Sequence, residues 1–473
     1  MFLRQLHDGD LAQYTYLIGC QKTGEAIVID PQRDVDRYRA LAKAEGLKLT
    51  AVAETHIHAD FVSGARELAA DPSIRAYLSS EGGNDWQSEW ARELPNATLL
   101  NDSAVFHVGR IRFEARHTPG HTPEHLSYLV TDEGGGADEP LALLSGDFLF
   151  VGDAGRPDLL ERAVGLTDSR QAAARQLYGS LRRVASLPCH LQILPAHGAG
   201  SACGKALGAV PSSTFGYEVK FNPALKVALD GNEQTFVDFV LQGQPEPPTY
   251  FARMKQVNRL GPSLLGSIPE PPELTLAEVA ARLDDPHFVV LDTRTDRVAF
   301  LRAHLSGSLF LPATNSFSDF AGAFLGPDER VVLVAQQPGD VDAQVRRLVH
   351  LGFDQIDGWL GAGALAGDAK LLVHIHSVEF AELPAILADD PDALVLDVRR
   401  ADEFDAGHLR GAINIAHLRL RRCLNELPSD RTLIVHCQSG NRAAGAAAYL
   451  ARSGHRVIHV DDTFDRAPTE LRA

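Results

Sequence analysis

Apolar residues along the first 240 positions fall in short runs that end on polar or charged side chains. Four stand out: Ala26 to Asp30 (AIVID), Leu49 to His56 (LTAVAETH), Leu141 to Phe150 (LALLSGDFLF) and Leu191 to Gly198 (LQILPAHG). Runs of this length, rich in β-branched residues and separated by helical stretches, predict strands alternating with helices. Strand ends that carry His and Asp instead of turn residues alone are expected to face a site. From Gln242 to Glu273 the pattern breaks into a segment that is proline-rich at both ends, read as a connecting arm. Beyond it the pattern repeats. A helix, a buried strand ending in Asp-x-Arg and a His-Leu-x-Gly turn occur from Leu274 (Asp292, Arg294, His304 to Gly307) and again from Ser377 (Asp397, Arg399, His408 to Gly411). A period of about a hundred residues is too long for a solenoid and suits a duplicated α/β domain with a mostly parallel sheet. The expected organisation is therefore 1–241, an arm over 242–273, and two related domains over 274–370 and 374–473.

Length agrees with this division, since 473 residues at about 150 per domain suggest three. A hydrophobic content of 45% with 23% charged residues describes a globular chain. The opening MFLRQLHDGD has no apolar stretch of the signal-peptide kind, and no run approaches the roughly 20 apolar residues of a membrane span. A net charge of −17 argues against a nucleic-acid partner. The five cysteines, Cys20, Cys189, Cys203, Cys423 and Cys437, are too few and scattered for a disulfide framework and include no C-x-x-C pair, so a reducing cytoplasm is the expected compartment.

Thr55-His56-Ile57-His58-Ala59-Asp60 offers two imidazoles and a carboxylate directly after a predicted strand. Downstream come His117 and His121 in HTPGHTPEH, Asp147 in SGDFLF and His197 in PAHG. A lone His at a strand end is ordinarily a hydrogen-bonded surface residue. Several on separate strand ends can converge on one ion, and neutral imidazole with carboxylate suits borderline first-row metals.

In this order the motifs resemble the metallo-β-lactamase superfamily, which implies an αββα fold over roughly residues 1 to 230 with a metal site at one sheet edge. The usual signature there is His-x-His-x-Asp-His, whose last two residues hold a second metal. Here Phe61 stands in the final position and has no donor atom, which favours a mononuclear site. TPGHTPEHLSY and Gly155-Arg156-Pro157-Asp158 are similar to the persulfide dioxygenase branch of that superfamily. That resemblance implies one mononuclear non-haem Fe(II) held by His56, His121 and Asp147. It implies supporting roles for His58, Asp60 and His197, which would hydrogen-bond the ligands and fix imidazole tautomers. It further implies that a persulfide and O2 meet at the metal and yield sulfite and a thiol. Tyr178 resembles a position near that family's substrate or oxygen site, with packing as its alternative, and Arg156 is a further candidate for a substrate role, with a structural ion pair to Asp158 as its alternative. Cys203, just after the last His, is a candidate thiol for handling persulfide or a buried filler.

RTLIVHCQSGNRAAGAAAYL reads as a strand, the loop Cys437-Gln438-Ser439-Gly440-Asn441-Arg442 and a helix. A cysteine ringed by backbone N–H groups and aimed at a helix N-terminus sits in a field that favours a thiolate and then a persulfide. With Asp397, Arg399 and the His408 turn, this segment resembles the rhodanese domain. The loop length suits sulfur chemistry, where Cys-based phosphatases use a longer cradle, and Arg442 is assigned to anion stabilisation. In the first copy Gln336 replaces the cysteine and Val341 the arginine, so that copy is expected to be catalytically silent.

Together these readings describe a persulfide dioxygenase and thiosulfate sulfurtransferase in one chain, resembling bacterial fusions of sulfide detoxification. The expected partners are a low-molecular-weight persulfide (of glutathione, coenzyme A or a similar thiol), O2 and sulfite or thiosulfate, with neither nucleic acid nor membrane, and the chain is expected to form a homo-oligomer. Two alternatives belong to other classes: a zinc-dependent glyoxalase II-like thioesterase whose rhodanese domains merely bind, and a non-enzymatic persulfide carrier or sensor.

Overall fold

Burial on both faces explains why the early strands read as continuous apolar runs, because a sheet covered on each side has no polar face to alternate with. A computed structural model describes residues 1–159, 161 and 169–473 and divides the chain into two compact units, Met1–Ser267 and Ile268–Ala473. In the first unit, β1 (Phe2–Asp8), β2 (Gln13–Cys20), β3 (Glu25–Ile29), β4 (Lys48–Ala53), β5 (Arg75–Ser79) and β6 (Ala97–Leu100) lie side by side in chain order. A second six-stranded sheet contains β7 (Val105–Val108), β8 (Ile111–His117), β9 (Leu126–Thr131), β10 (Ala142–Gly146), β11 (Gln192–Pro195) and β12 (Ser213–Thr214), again in order.

The inner faces of the two sheets share one core, with Tyr16, Ile18, Ile27 and Ile29 from the first sheet and Phe113, Tyr128, Val130 and Leu144 from the second. Each outer face has its own cover. Leu17, Val28 and Val52 pack with Tyr38 and Leu68 from the helices Asp36–Ala44 and Ala65–Ala69. Leu143 and Ile193 pack with Leu177, Leu225 and Phe236 from the helices Ser169–Arg183, Pro223–Asp230 and Glu233–Leu241. These four layers form the αββα fold that the sequence leads one to expect. Among the described residues no helix is long and apolar enough to cross a membrane.

The proline-rich arm contains the helix Phe251–Leu260, whose Phe251, Met254 and Asn258 are buried. The Asn258 side-chain amide donates to the carbonyls of His58 (2.8 Å) and Phe61 (2.7 Å), and its oxygen accepts from the Ser63 N–H (2.9 Å). Lys255 lies 3.2 Å from the centre of the Trp86 ring and Arg259 pairs with Glu89 at 2.6 Å. The irregular loop carrying His56, His58 and Asp60 is thus clasped from about 200 residues away.

The second unit contains two parallel sheets. One has the order β15-β13-β16-β17, built from β13 (Phe288–Asp292), β15 (Leu309–Phe310), β16 (Arg330–Ala335) and β17 (Ile356–Gly361); β14 (His304–Leu305) pairs separately with β18 (Leu372–Val373). The other has the order β19-β23-β22-β20-β21, built from β19 (His376–Val378), β20 (Leu394–Asp397), β21 (Ile413–Asn414), β22 (Thr432–His436) and β23 (Arg456–Val460). The repeated motif has the same physical content in both halves. Arg294 forks onto Asp292 and donates to the Ala303 carbonyl, as Arg399 forks onto Asp397 and donates to the Gly407 carbonyl. His304 and His408 each place Nδ1 on the carbonyl four residues back and stack on the phenylalanine there, Phe300 and Phe404.

Replacing Asn258 with Ala removes three buried hydrogen bonds and leaves two carbonyls and an amide without partners. The first unit should lose about 3 kcal/mol of stability, read from urea unfolding followed by Trp86 and Trp90 fluorescence. A loss below about 0.5 kcal/mol, the usual range for uninvolved surface positions, would show that the clasp does not hold the loop.

Candidate metal centre and cysteine loop

Four strand ends deliver the candidate ligands: the loop after β4, the turn between β8 and β9, the residue after β10, and the segment after β11. His56, His121 and Asp147 converge there, all three buried, with one potential ligand atom from each within 4.8 Å of the others. His121 Nε2 lies 3.3 Å and His56 Nε2 3.9 Å from Asp147 Oδ2.

The hydrogen bonds on the far side of each ring fix the tautomers. His121 Nδ1 faces the Arg156 carbonyl at 3.2 Å, and a carbonyl only accepts, so Nδ1 carries the proton and Nε2 the lone pair. The Thr55 hydroxyl donates to Asp30 at 2.9 Å, which leaves it to accept from His56 Nδ1 at 2.9 Å. Both rings therefore present Nε2 lone pairs towards one point. Burial holds the His56 pKa well below the ordinary imidazole value and lowers that of His121 as well, so both rings are neutral and available as ligands.

Asp147 completes the set. Its Oδ1 takes a 2.7 Å hydrogen bond from His197 Nδ1, while its Oδ2 is buried with no hydrogen-bond partner among the described residues. Burial opposes its charge, but the attraction of the protonated His197 and the hydrogen bond it donates carry its pKa well below the carboxylate range. An ionised oxygen without a donor, facing two imidazole lone pairs, is what a cationic metal would satisfy.

His197 also contacts Asp60 Oδ2 through Nε2, at 2.8 Å. With a carboxylate on each nitrogen the ring donates from both. Burial would lower its pKa, yet the attraction of Asp147, with a contribution from Asp60, lifts it well above 6.5. Asp60, His197 and Cys203 also lie close enough to share an ion, but His197 offers no free lone pair there. Phe61, fully buried, stacks on His58 at 4.4 Å. His58 in turn pairs with Asp30 at 3.2 Å, and against the opposing effect of burial this carboxylate raises its pKa to about 9.

Arg156 braces the loop around the site. Its guanidinium forks onto Asp158 at 2.8 and 2.9 Å and reaches the carbonyls of Ala202 (2.7 Å) and Pro245 (2.6 Å), while its own carbonyl orients His121. Burial pushes the Cys203 thiol up to about 12, so it is protonated at neutral pH. Tyr178 packs against Phe236, and its hydroxyl lies 3.4 Å from the Gly231 carbonyl.

Three supporting residues lie outside the sequence-derived candidates. His125 Nε2 accepts the Asp147 N–H at 3.0 Å, Asp30 holds Thr55 and His58, and Glu124 accepts the Ile57 N–H at 2.8 Å. Gly146 permits this packing: at φ +54°, a Cβ there would meet His125 Nε2 at 2.5 Å and Thr55 Oγ1 at 2.8 Å.

In the second unit Cys437 is buried at the end of β22, and the Gly440 N–H points at its sulfur from 3.2 Å. Gly440 has φ +89° and immediately precedes the helix Asn441–Arg452. Its carbonyl accepts from His459 Nε2 at 2.9 Å, and the Gln438 carbonyl accepts the Phe464 N–H at 3.0 Å. Ser439 is exposed on the rim. Arg442 makes a two-pronged pair with Glu403 at 2.6 and 2.8 Å. In the other half, Gln336 is exposed after β16 and Val341 begins the following helix, so that loop offers neither thiol nor guanidinium.

Burial would raise the Glu403 pKa, but the hydrogen bonds and charge of Arg442 take it from 4.5 to about 2. A depressed carboxylate stabilises the fold above its unfolded pKa and loses that contribution as pH falls through the folded value. The stability difference between wild type and Glu403→Gln should therefore be constant above about pH 5.5 and shrink between pH 4.5 and about 2. Denaturant titrations of the second unit across that range check it; a difference independent of pH would contradict the pair.

The Metallo-beta-lactamase superfamily matches residues 8–197 and the Rhodanese-like domain matches residues 379–466. Mitochondrial persulfide dioxygenase ETHE1 of Bos taurus is 32% identical over 200 residues, covering 42% of this chain and 68% of that protein. The Homo sapiens counterpart is 31% identical over 201 residues, with the same two shares. Among solved structures, a metallo-beta-lactamase from Staphylococcus aureus subsp. aureus COL is 38% identical with a TM-score of 0.66, covering 76% of this chain and 98% of its own. The chain thus belongs to the metallo-beta-lactamase superfamily, among the homologues of the persulfide dioxygenase ETHE1, and carries a rhodanese-like domain in its C-terminal part.

Proposed function

We propose that this protein oxidises a low-molecular-weight persulfide with O2 to sulfite and thiol at one mononuclear Fe(II) site held by His56, His121 and Asp147, and transfers sulfur through a persulfide on Cys437. The observation that carries this reading is the Asp147 Oδ2, buried, ionised and without a donor, opposite the lone pairs of His56 and His121. Two imidazoles and one carboxylate leave coordination positions open, the pattern of non-haem iron oxygenases. When bound, Fe(II) supplies a redox-active centre at which a persulfide and O2 can be brought together, which zinc does not.

The chain's own residues hold that site ready. Arg156 and Thr55 fix the ligand tautomers, and His197, tied to both Asp147 and Asp60, aims the carboxylate. The His197 bridge and the apolar Phe61 side chain also oppose a second metal, and with it a binuclear hydrolase. The overall reaction balances as R–S–SH with O2 and water giving R–SH, sulfite and two protons.

Cys437 then links sulfite to thiosulfate. The Cys437 thiolate takes the outer sulfur of a second R–S–SH as the R–S⁻ thiolate leaves with the S–S electron pair; sulfite then attacks the outer sulfur of the Cys437 persulfide, the S–S bond breaks, and its electron pair returns to the cysteine thiolate. The Gly440 N–H and Arg442 lie at the sulfur, placed to hold the negative charge that the broken bond leaves there. We assign residues 1–241 to the dioxygenase, 274–370 to a silent rhodanese-like copy and 374–473 to the active one. Glutathione and coenzyme A persulfides are the candidate substrates.

Protein loaded anaerobically with Fe(II) should consume O2 on addition of glutathione or coenzyme A persulfide, at one O2 per sulfite formed. His121→Ala should abolish this uptake, while Cys437→Ser should keep it and lose thiosulfate formation from persulfide and sulfite. Two equivalents of zinc per chain with no O2 uptake after iron loading would overturn the reading.

A further inference from the structure

The helix after the cysteine loop is buried nearly all round: Ala443, Ala444, Gly445, Ala446, Ala447, Ala448, Tyr449 and Leu450 are all buried. Its own sheet covers one side. The other is covered by the silent copy, through a cluster that joins Ala444, Ala447 and Ala448 to Phe300, Leu301 and Phe310. Gly445 lies so close to the silent copy that a Cβ there would meet Phe320 Cε1 at 2.4 Å. At the far end of the helix, Arg452 reaches back to the carbonyls of Gly307 (2.8 Å) and Phe288 (3.2 Å).

At the cysteine end the contact is polar and comes from the silent copy. Arg297 Nε donates to Asp461 Oδ1 at 2.7 Å, and its Nη1 donates to Asn441 Oδ1 at 2.7 Å. Asn441 follows Gly440, whose N–H touches the Cys437 sulfur. The guanidinium seals the glycine: a Cβ on Gly440 would lie 2.9 Å from Asp461 Oδ1 and 3.2 Å from the Arg297 Cζ.

We infer that Arg297 of the silent copy is a positioning residue for the sulfurtransferase, clamping Asn441 and Asp461 so that the Gly440 N–H stays on the Cys437 sulfur. Arg442 stands at the sulfur itself and pairs with Glu403, so the contact to Asn441 and Asp461 falls to Arg297. The silent copy, which has lost its own nucleophile, forms one wall of its twin's cradle. This inference rests on the reading that Cys437 carries sulfur.

The test uses full-length, iron-loaded protein and sulfur transfer from thiosulfate to cyanide. In that reaction the Cys437 thiolate takes the outer sulfur as sulfite leaves with the S–S electron pair, and cyanide then removes that sulfur as thiocyanate and restores the thiolate. Arg297→Ala should lower kcat by roughly tenfold while the KM for thiosulfate changes less than about twofold, as misplacement of a donor predicts. Arg297→Lys, which keeps the charge, should recover part of the loss. Arg452→Ala, which cuts the opposite end of the same contact, should lower Tm and leave kcat unchanged. Hydrogen–deuterium exchange supplies a readout independent of turnover: the peptide spanning Cys437 to Arg442 should exchange faster in Arg297→Ala and not in Arg452→Ala. Unchanged exchange there, or a kcat loss that Arg452→Ala reproduces or that Lys does not relieve, would overturn the clamp. Wild-type protein that forms neither thiocyanate nor a Cys437 persulfide would instead sink the reading of Cys437, and the exchange result would still decide the clamp.

Discussion

Much of the first unit is organised around a divided carboxylate. Asp147 commits one oxygen to His197 and leaves the other with no donor, inside a site from which water is largely excluded. A buried charge left half-satisfied is expensive for the fold, and it persists only when its surroundings over-determine it. Those surroundings can be named. His197 stays in place through Asp60, Asp60 sits on the loop clasped by Asn258, the Asp147 amide is held by His125, and Gly146 removes the Cβ that would push these groups apart. Five separate regions of the chain thus hold this one side chain in place, directly or through a neighbour.

Much of this was legible from residue order. Strands ending in His or Asp mark loops that face a site, and the substitution of Phe61 for a histidine speaks for a single metal before any coordinate is seen. What could not be read are groups whose partner lies far off in the chain. His125 lies inside HTPGHTPEH, yet its role exists only because the Asp147 amide arrives from 22 residues away. Asn258 sits in a segment whose prolines read as a linker. Buried Phe251, Met254 and Asn258 are a weak sign of an amphipathic turn in FARMKQVNRL, and only the fold shows what that turn grips.

The two halves of the second unit share architecture without sharing chemistry. Asp-x-Arg forks and stacked His–Phe pairs are retained in both halves, because they brace the chain where it leaves the central strand. The loop after the next strand is under no such demand. There one half keeps a thiol, a tight glycine and a guanidinium, and the other has Gln336, a capped turn and Val341. The alanine-rich sequence that follows Arg442 would suggest a helix with a solvent face. Its burial on both sides records a neighbour that helix propensity alone does not reveal.

The clasp made by Asn258 also defines what counts as a domain in this protein. A boundary drawn where strands and helices of the αββα fold end, at residue 241, would leave the metal loop without its tether. The compact unit runs instead to Ser267. The segment between is less a hinge than a latch: a stretch of chain after the αββα fold that closes over the loop from outside. Any minimal fragment meant to bind metal must therefore carry about two dozen residues that contribute no ligand at all.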